Sequence, residues 1–199
     1  MSDLAAGGAL AGSPALPPRS VCDYAPFWCE ENVARLLGRP ELAGRRAWAL
    51  LVSNPSRTVA LLRQRAGNGP RGLVIWDYHV VACVAVAGAR PLVLDLDSSL
   101  GYPLPAREWA EATIPKDRPE SQAALFRLVP AELYLRVFSS DRSHMRRADG
   151  SWQAPPPPWP AFGAGGPNTL MELIDMARPR PGEVLDRAGL QAFATTPCP

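Results

Sequence analysis

The chain has almost no lysine and almost no histidine. Lys116 is the single lysine among 21 basic residues, and His79 and His144 are the two histidines. Neither sign of charge dominates: 19 acidic residues leave a net charge of +2, which argues against a nucleic acid or an anionic membrane as the main partner. No apolar run approaches the length that a membrane span requires. The four cysteines, Cys22, Cys29, Cys83 and Cys198, form no CxxC pair and no regular framework, so free thiols are expected rather than bridges. Two histidines far apart in the chain offer little to zinc, and no metal is expected. The opening stretch MSDLAAGGALAGSPALPPRS lacks the basic start of a secretory signal. It reads as a flexible leader over residues 1–20, followed by one domain over residues 21–199. The expectation is a soluble, cytoplasmic protein, with the nucleus as a further compartment, and a monomer.

What is present is a mixture of short helical and strand patterns. CEENVARLL (29–37) places Val33, Leu36 and Leu37 at helical spacing, and Gly38 and Pro40 end the run. AWALLV (47–52) is a short buried element, and TVALLRQRA fits helix or strand. LVIWDYHVVACVAV (73–86) is the most strand-like stretch. Alternation there puts Ile75, Asp77, His79, Val81 and Cys83 on one face, with Trp76, Tyr78, Val80 and Ala82 on the other. LVLDLD (92–97) follows after a glycine-bearing turn, so an antiparallel hairpin is expected. A register centred on a three-residue loop at Ala87–Ala89 sets Asp95 opposite Val81 and diagonal to His79. A two-residue loop sets it opposite Ala82, pointing away. Further on, REWAEAT and PAELYLRVFSS read as helices, ALFRLV and EVL as strands, and DRAGLQAFA as a last helix capped by Asp186. Without regular βαβ alternation the fold class is α+β with an antiparallel sheet.

An imidazole in an apolar, β-branched run is either a core histidine bonded to the backbone or a base with partners elsewhere. Cys29 opens a helix, where free backbone N–H groups favour a thiolate. His79 can take a thiol proton and return it to a leaving group, and a carboxylate beyond it can fix its tautomer. Asp95 and Asp97 both lie on the histidine's side of the hairpin. Trp76 and Tyr78 point the other way and read as core. Glu30 and Glu31 disfavour a thiolate, which suggests another duty for them, such as meeting a positive group on a substrate.

Several stretches occur together: CEEN at 29–32, VIWDYHVV at 74–81, DLD at 95–97, FSSDRSHM at 138–145 and SWQAPPPPWP at 151–160. In order and interval they resemble the signature blocks of the protein N-terminal glutamine amidohydrolase family, over most of the chain from about Cys22 onward. The resemblance implies a papain- or transglutaminase-like fold, in which a helix bearing the cysteine packs on an antiparallel sheet bearing histidine and aspartate. It also implies a thiol amidohydrolase that converts the N-terminal glutamine of proteins or peptides to glutamate, releases ammonia through a cysteine thioester and feeds N-terminal degradation signalling. On that resemblance the catalytic residues are Cys29, His79 and Asp95, with no cofactor. Glu30, Glu31, Asp141 and His144 are taken as substrate-binding. A related Cys-His-Asp protease or acyltransferase, or a non-catalytic module binding free N-termini, are the alternatives.

Overall fold

The structure, a computed structural model, describes residues 15–163 and 166–198. Most of the stretch expected as a leader, residues 1–14, lies outside the described residues. Packing begins before Cys22: the Arg19 guanidinium donates to the carbonyls of Asp95 and Leu100, at 3.2 and 3.1 Å.

The first helix, α1 (Cys29–Leu37), matches the periodic run and ends at Gly38. Strands β1 (Ala47–Ser53), β2 (Val59–Leu61), β3 (Val74–Trp76), β4 (Tyr78–Val84), β5 (Leu92–Leu94) and β6 (Leu104–Pro105) follow, and α2 (Ala106–Thr113) comes next. The rest of the chain supplies β7 (Leu125–Pro130), α3 (Ala131–Val137), α4 (Leu170–Leu173), β8 (Glu183–Leu185) and α5 (Arg187–Thr195). Asp186 caps α5, its carboxylate accepting from the Gly189 N–H at 2.8 Å. The main sheet is ordered β6-β5-β4-β1-β7-β8 with every pair antiparallel. The fold is therefore α+β, as the pattern of elements requires.

Helices cover both faces of this sheet. On one face α1, α3 and α4 pack against Ala49 and Leu51 of β1 and Tyr78, Val80 and Ala82 of β4. On the other, α2 and α5 cover Leu50, Val52, Val81, Cys83 and Val93. Each large side chain removed from water in these layers contributes about 1.5–3 kcal/mol. Arg127 of β7 is fully buried, and its guanidinium donates to four carbonyls, those of Leu173, Asp175, Arg178 and Pro181, at 2.7–2.8 Å. It holds residues 173–181 against the sheet.

The run 73–86 is two strands rather than one. β3 pairs with β2 in a separate two-stranded ribbon, and β4 joins the main sheet. The break falls at Asp77, whose carboxylate accepts from the Tyr78 N–H at 3.1 Å while its carbonyl accepts from Ser53 Oγ at 2.6 Å. One local bond and one from the neighbouring strand thus meet at the residue where the chain turns. In the β4–β5 hairpin Ala82 faces Leu94, Cys83 faces Val93 and Val84 faces Leu92. Continued by one step, this register sets Asp95 opposite Val81, as the three-residue loop requires. The turn itself is wider, because the ladder stops at Val84 and Leu92.

Candidate active site

His79 follows the alternation of β4 onto the α2 face and is completely buried. Asp95 comes from the residue just after β5. Its Oδ1 lies 3.1 Å from His79 Nε2 and also accepts from the Asp97 N–H at 3.0 Å, while Oδ2 accepts from Trp109 Nε1 at 2.9 Å. A carboxylate can only accept, so Nε2 carries the proton and the neutral ring keeps its lone pair on Nδ1. Nδ1 has no hydrogen-bond partner. Burial alone would lower the pKa of His79, but the charge and hydrogen bond of Asp95, with Asp97 and Glu30 behind, hold it above the ordinary imidazole value. Burial likewise opposes ionisation of Asp95. The imidazole and the Trp109 bond outweigh it and hold that carboxyl below its ordinary value.

Cys29 begins α1 and packs with Tyr78 and Val80 on the opposite face of β4. The backbone N–H of Val80, one residue from His79, favours the thiolate form of the Cys29 sulfur. Its own proton points to Glu30 Oε2 at 3.7 Å. Burial, then Glu30, Asp97 and Asp77, push the thiol well above its ordinary pKa, and the Val80 bond only partly offsets them. The expectation that the helix end would by itself favour a thiolate is corrected here: three nearby carboxylates and a dry setting dominate.

Cys29 opens on a cavity of about 420 Å³, lined also by Phe27, Trp76, Asp77, Tyr78, Asp97 and His144. This volume lies within the ordinary range for small-molecule sites. Trp76 and Tyr78 are thus cavity residues and not simply core. The turn at Asp77 takes Trp76 off the β4 alternation, and its ring lies 5.2 Å from that of His79. Tyr78 reaches round to donate to Glu30 Oε2 at 3.0 Å.

The four residues expected to bind substrate fare differently. His144 is on the cavity wall, its Nε2 3.2 Å from the Tyr78 hydroxyl and 3.5 Å from Glu30 Oε1. Glu30 is completely buried behind that wall, and its Oε1 has no hydrogen-bond partner. Glu31 does not reach the cavity. Arg142 holds both its oxygens at 2.8 Å, and Trp159 Nε1 adds a third bond at 2.8 Å. Asp141 does not line this cavity: it accepts from the Ser143 N–H and from Asn168 Nδ2, at 2.9 and 2.7 Å, and so shapes its loop. The proline run packs by the same network, since Trp28 Nε1 donates to the Pro155 carbonyl and Arg142 to that of Trp159.

His79, Asp95 and Asp97 bring one possible ligand atom each to within 4.8 Å of one another. Both oxygens of Asp95 are engaged, by the Asp97 N–H and Trp109, and Asp97 Oδ1 accepts from Tyr24 at 2.7 Å, which suits an oriented imidazole better than a metal ion. Trp109 and Tyr24 could not be read in these roles from the chain, because each donor comes from a distant element.

A cysteine that opens on a cavity and an imidazole bound to a carboxylate, in an α+β frame, are groups that hydrolases working through a nucleophilic thiol use. The family model for N-terminal glutamine amidase matches residues 24–194. The chain belongs to this family, and so to the hydrolases acting on carboxamides. It is similar to the protein N-terminal glutamine amidohydrolases of Drosophila grimshawi and Drosophila melanogaster. Each is 45% identical over 152 residues, 72% of this chain and 73% of the relative.

Proposed function

We propose that the protein deamidates the N-terminal glutamine of proteins and peptides, with Cys29 as nucleophile, His79 as acid–base and Asp95 as the group that orients it, in a papain- or transglutaminase-like arrangement. The single observation that carries this reading is the pairing of His79 Nε2 with Asp95. It leaves Nδ1, which has no hydrogen-bond partner, as the free base on the residue next to Val80, whose N–H favours the Cys29 thiolate. Because burial and carboxylates hold the thiol protonated, the sulfur needs such a base.

The steps follow. His79 Nδ1 takes the thiol proton as the sulfur attacks the side-chain carboxamide carbon. The tetrahedral adduct collapses as the C–N bond breaks, His79 returns the proton to nitrogen, and ammonia leaves a thioester. Water then gives a proton to His79, adds to the thioester carbon and expels the sulfur, which regains its proton. The product is an N-terminal glutamate. Each role is an ordinary general acid–base or nucleophilic one. No organic or metal cofactor enters these steps. The product glutamate feeds N-terminal degradation signalling, and the enzyme works as a cytoplasmic and nuclear monomer.

The test is the mass of a Gln-starting peptide after incubation. A gain of about one mass unit, amide replaced by acid, with release of ammonia and complete loss of both in Cys29→Ala, is expected. Fragments in place of the mass gain mean a protease, and equal turnover of internal glutamine sinks the terminal specificity.

A further inference from the structure

An enzyme that reads an N-terminus has to recognise a positive α-ammonium close to the scissile amide. The cavity offers few groups for this. Glu30 and Glu31 are completely buried, and Asp95 is bonded to His79 and Trp109. Asp97 is 6% exposed and already accepts from Tyr24 at 2.7 Å. On the cationic side, Arg147 spends its Nη1 on the Trp152 carbonyl and Ser151 Oγ, at 2.6 and 3.3 Å, and His144 faces Tyr78 and Glu30. Asp77 differs from all of these. It is exposed on the same cavity wall as Cys29, and its one side-chain hydrogen bond among the described residues is Oδ1 accepting from the adjacent Tyr78 N–H.

We propose that Asp77 is the specificity-determining residue that receives the substrate's α-ammonium, resting on the amidase reading of the Cys29 cavity. The bend at Asp77 is what makes this possible. A continuous strand would place that side chain on the α2 face with His79, whereas the break between β3 and β4 turns it into the cavity. The charge of Asp77 also reaches the sulfur and, with Glu30 and Asp97, keeps the thiol protonated. An ammonium bound at Asp77 neutralises part of that field where the sulfur must become an anion. Recognition and activation are then coupled: a glutamine without a free α-amine loses the contact and leaves the carboxylates unopposed.

The experiment compares ammonia release from a Gln-starting peptide with that from the same peptide lacking the α-amino group, in wild type, Asp77→Asn and Asp77→Glu. Asparagine keeps the acceptor for the Tyr78 N–H, so the turn survives, and thermal unfolding checks this. The wild type is expected to prefer the free amine on the order of 10- to 100-fold in kcat/KM, the usual range for one charge-assisted bond. Asp77→Asn collapses that ratio towards one by losing rate on the amine substrate, with the rate on the other peptide held or raised because one carboxylate fewer opposes the thiolate, and Asp77→Glu keeps most of it. An unchanged ratio in Asp77→Asn overturns the proposal, as does an equal loss on both peptides, which marks a structural role. If the wild type releases ammonia from neither peptide, the amidase reading itself falls, and this inference with it.

Discussion

Glu30 and Glu31 are adjacent, chemically identical and equally buried, yet they belong to two different parts of the molecule. Glu31 is saturated by the bidentate Arg142 guanidinium and the Trp159 indole. That ties the start of α1 to the loops carrying SDRSHM and the proline run. Glu30 faces the thiol, with a tyrosine on one oxygen and nothing on the other beyond a histidine at 3.5 Å. A buried carboxylate with both oxygens matched is scaffold; one left partly unmatched beside a nucleophile sets the electrostatics of chemistry. The difference lies entirely in what distant segments bring to each side of the helix.

The reacting side should break first. Asp95→Asn removes the charge that orients and charges His79, and a loss in kcat on the order of 10³–10⁴ is expected by analogy with other triads. The pH profile sharpens this. His79 titrates above its ordinary value because of Asp95, and it must lose its extra proton before it can take one from the thiol. Wild-type kcat/KM therefore rises with pH through a point above the ordinary imidazole value. In Asp95→Asn that limb moves to lower pH, and an acid limb that stays in place would refute the assigned role.

On the scaffolding side, Arg142→Leu strands Glu31 as a buried, uncompensated charge. A loss of about 3–5 kcal/mol is expected, read as a lower denaturant midpoint, with activity falling only as far as folding does. The smallest effect is at Glu30. Glu30→Gln keeps an acceptor for the Tyr78 hydroxyl, so stability should change by less than about 1 kcal/mol. Removing the nearest charge that opposes ionisation of Cys29 should let iodoacetamide react at lower pH than in wild type. If Glu30→Gln unfolds the protein as readily as Arg142→Leu, the distinction between the two carboxylates is lost.

Much of the frame was legible in the chain. The run from Cys29 to Leu37 carries helical spacing between an acidic first turn and Gly38, and α1 has those bounds. Alternation over DYHVVACV and LVLDLD confined the hairpin to registers that either join or separate Asp95 and His79, and the observed one joins them. Asp186 capped its helix as expected. The break at Asp77 was not legible, since alternation is unchanged by a turn that meets a bond from Ser53 on another strand. The burial of Glu31 was equally hidden, because its partners lie more than a hundred residues away.

By itself, then, the sequence determined local matters: where α1 starts, which residues share a face within each strand of the hairpin, and the family to which its motif blocks point. Those depend on periodicity and on neighbours a few residues apart. Only the tertiary structure decided which carboxylate locks the scaffold and which ones surround the sulfur, that Tyr78 and Trp76 line the cavity, and that the thiol is held protonated. Burial and charge are sums over everything nearby in space, and most of what is near Cys29 is remote from it along the chain.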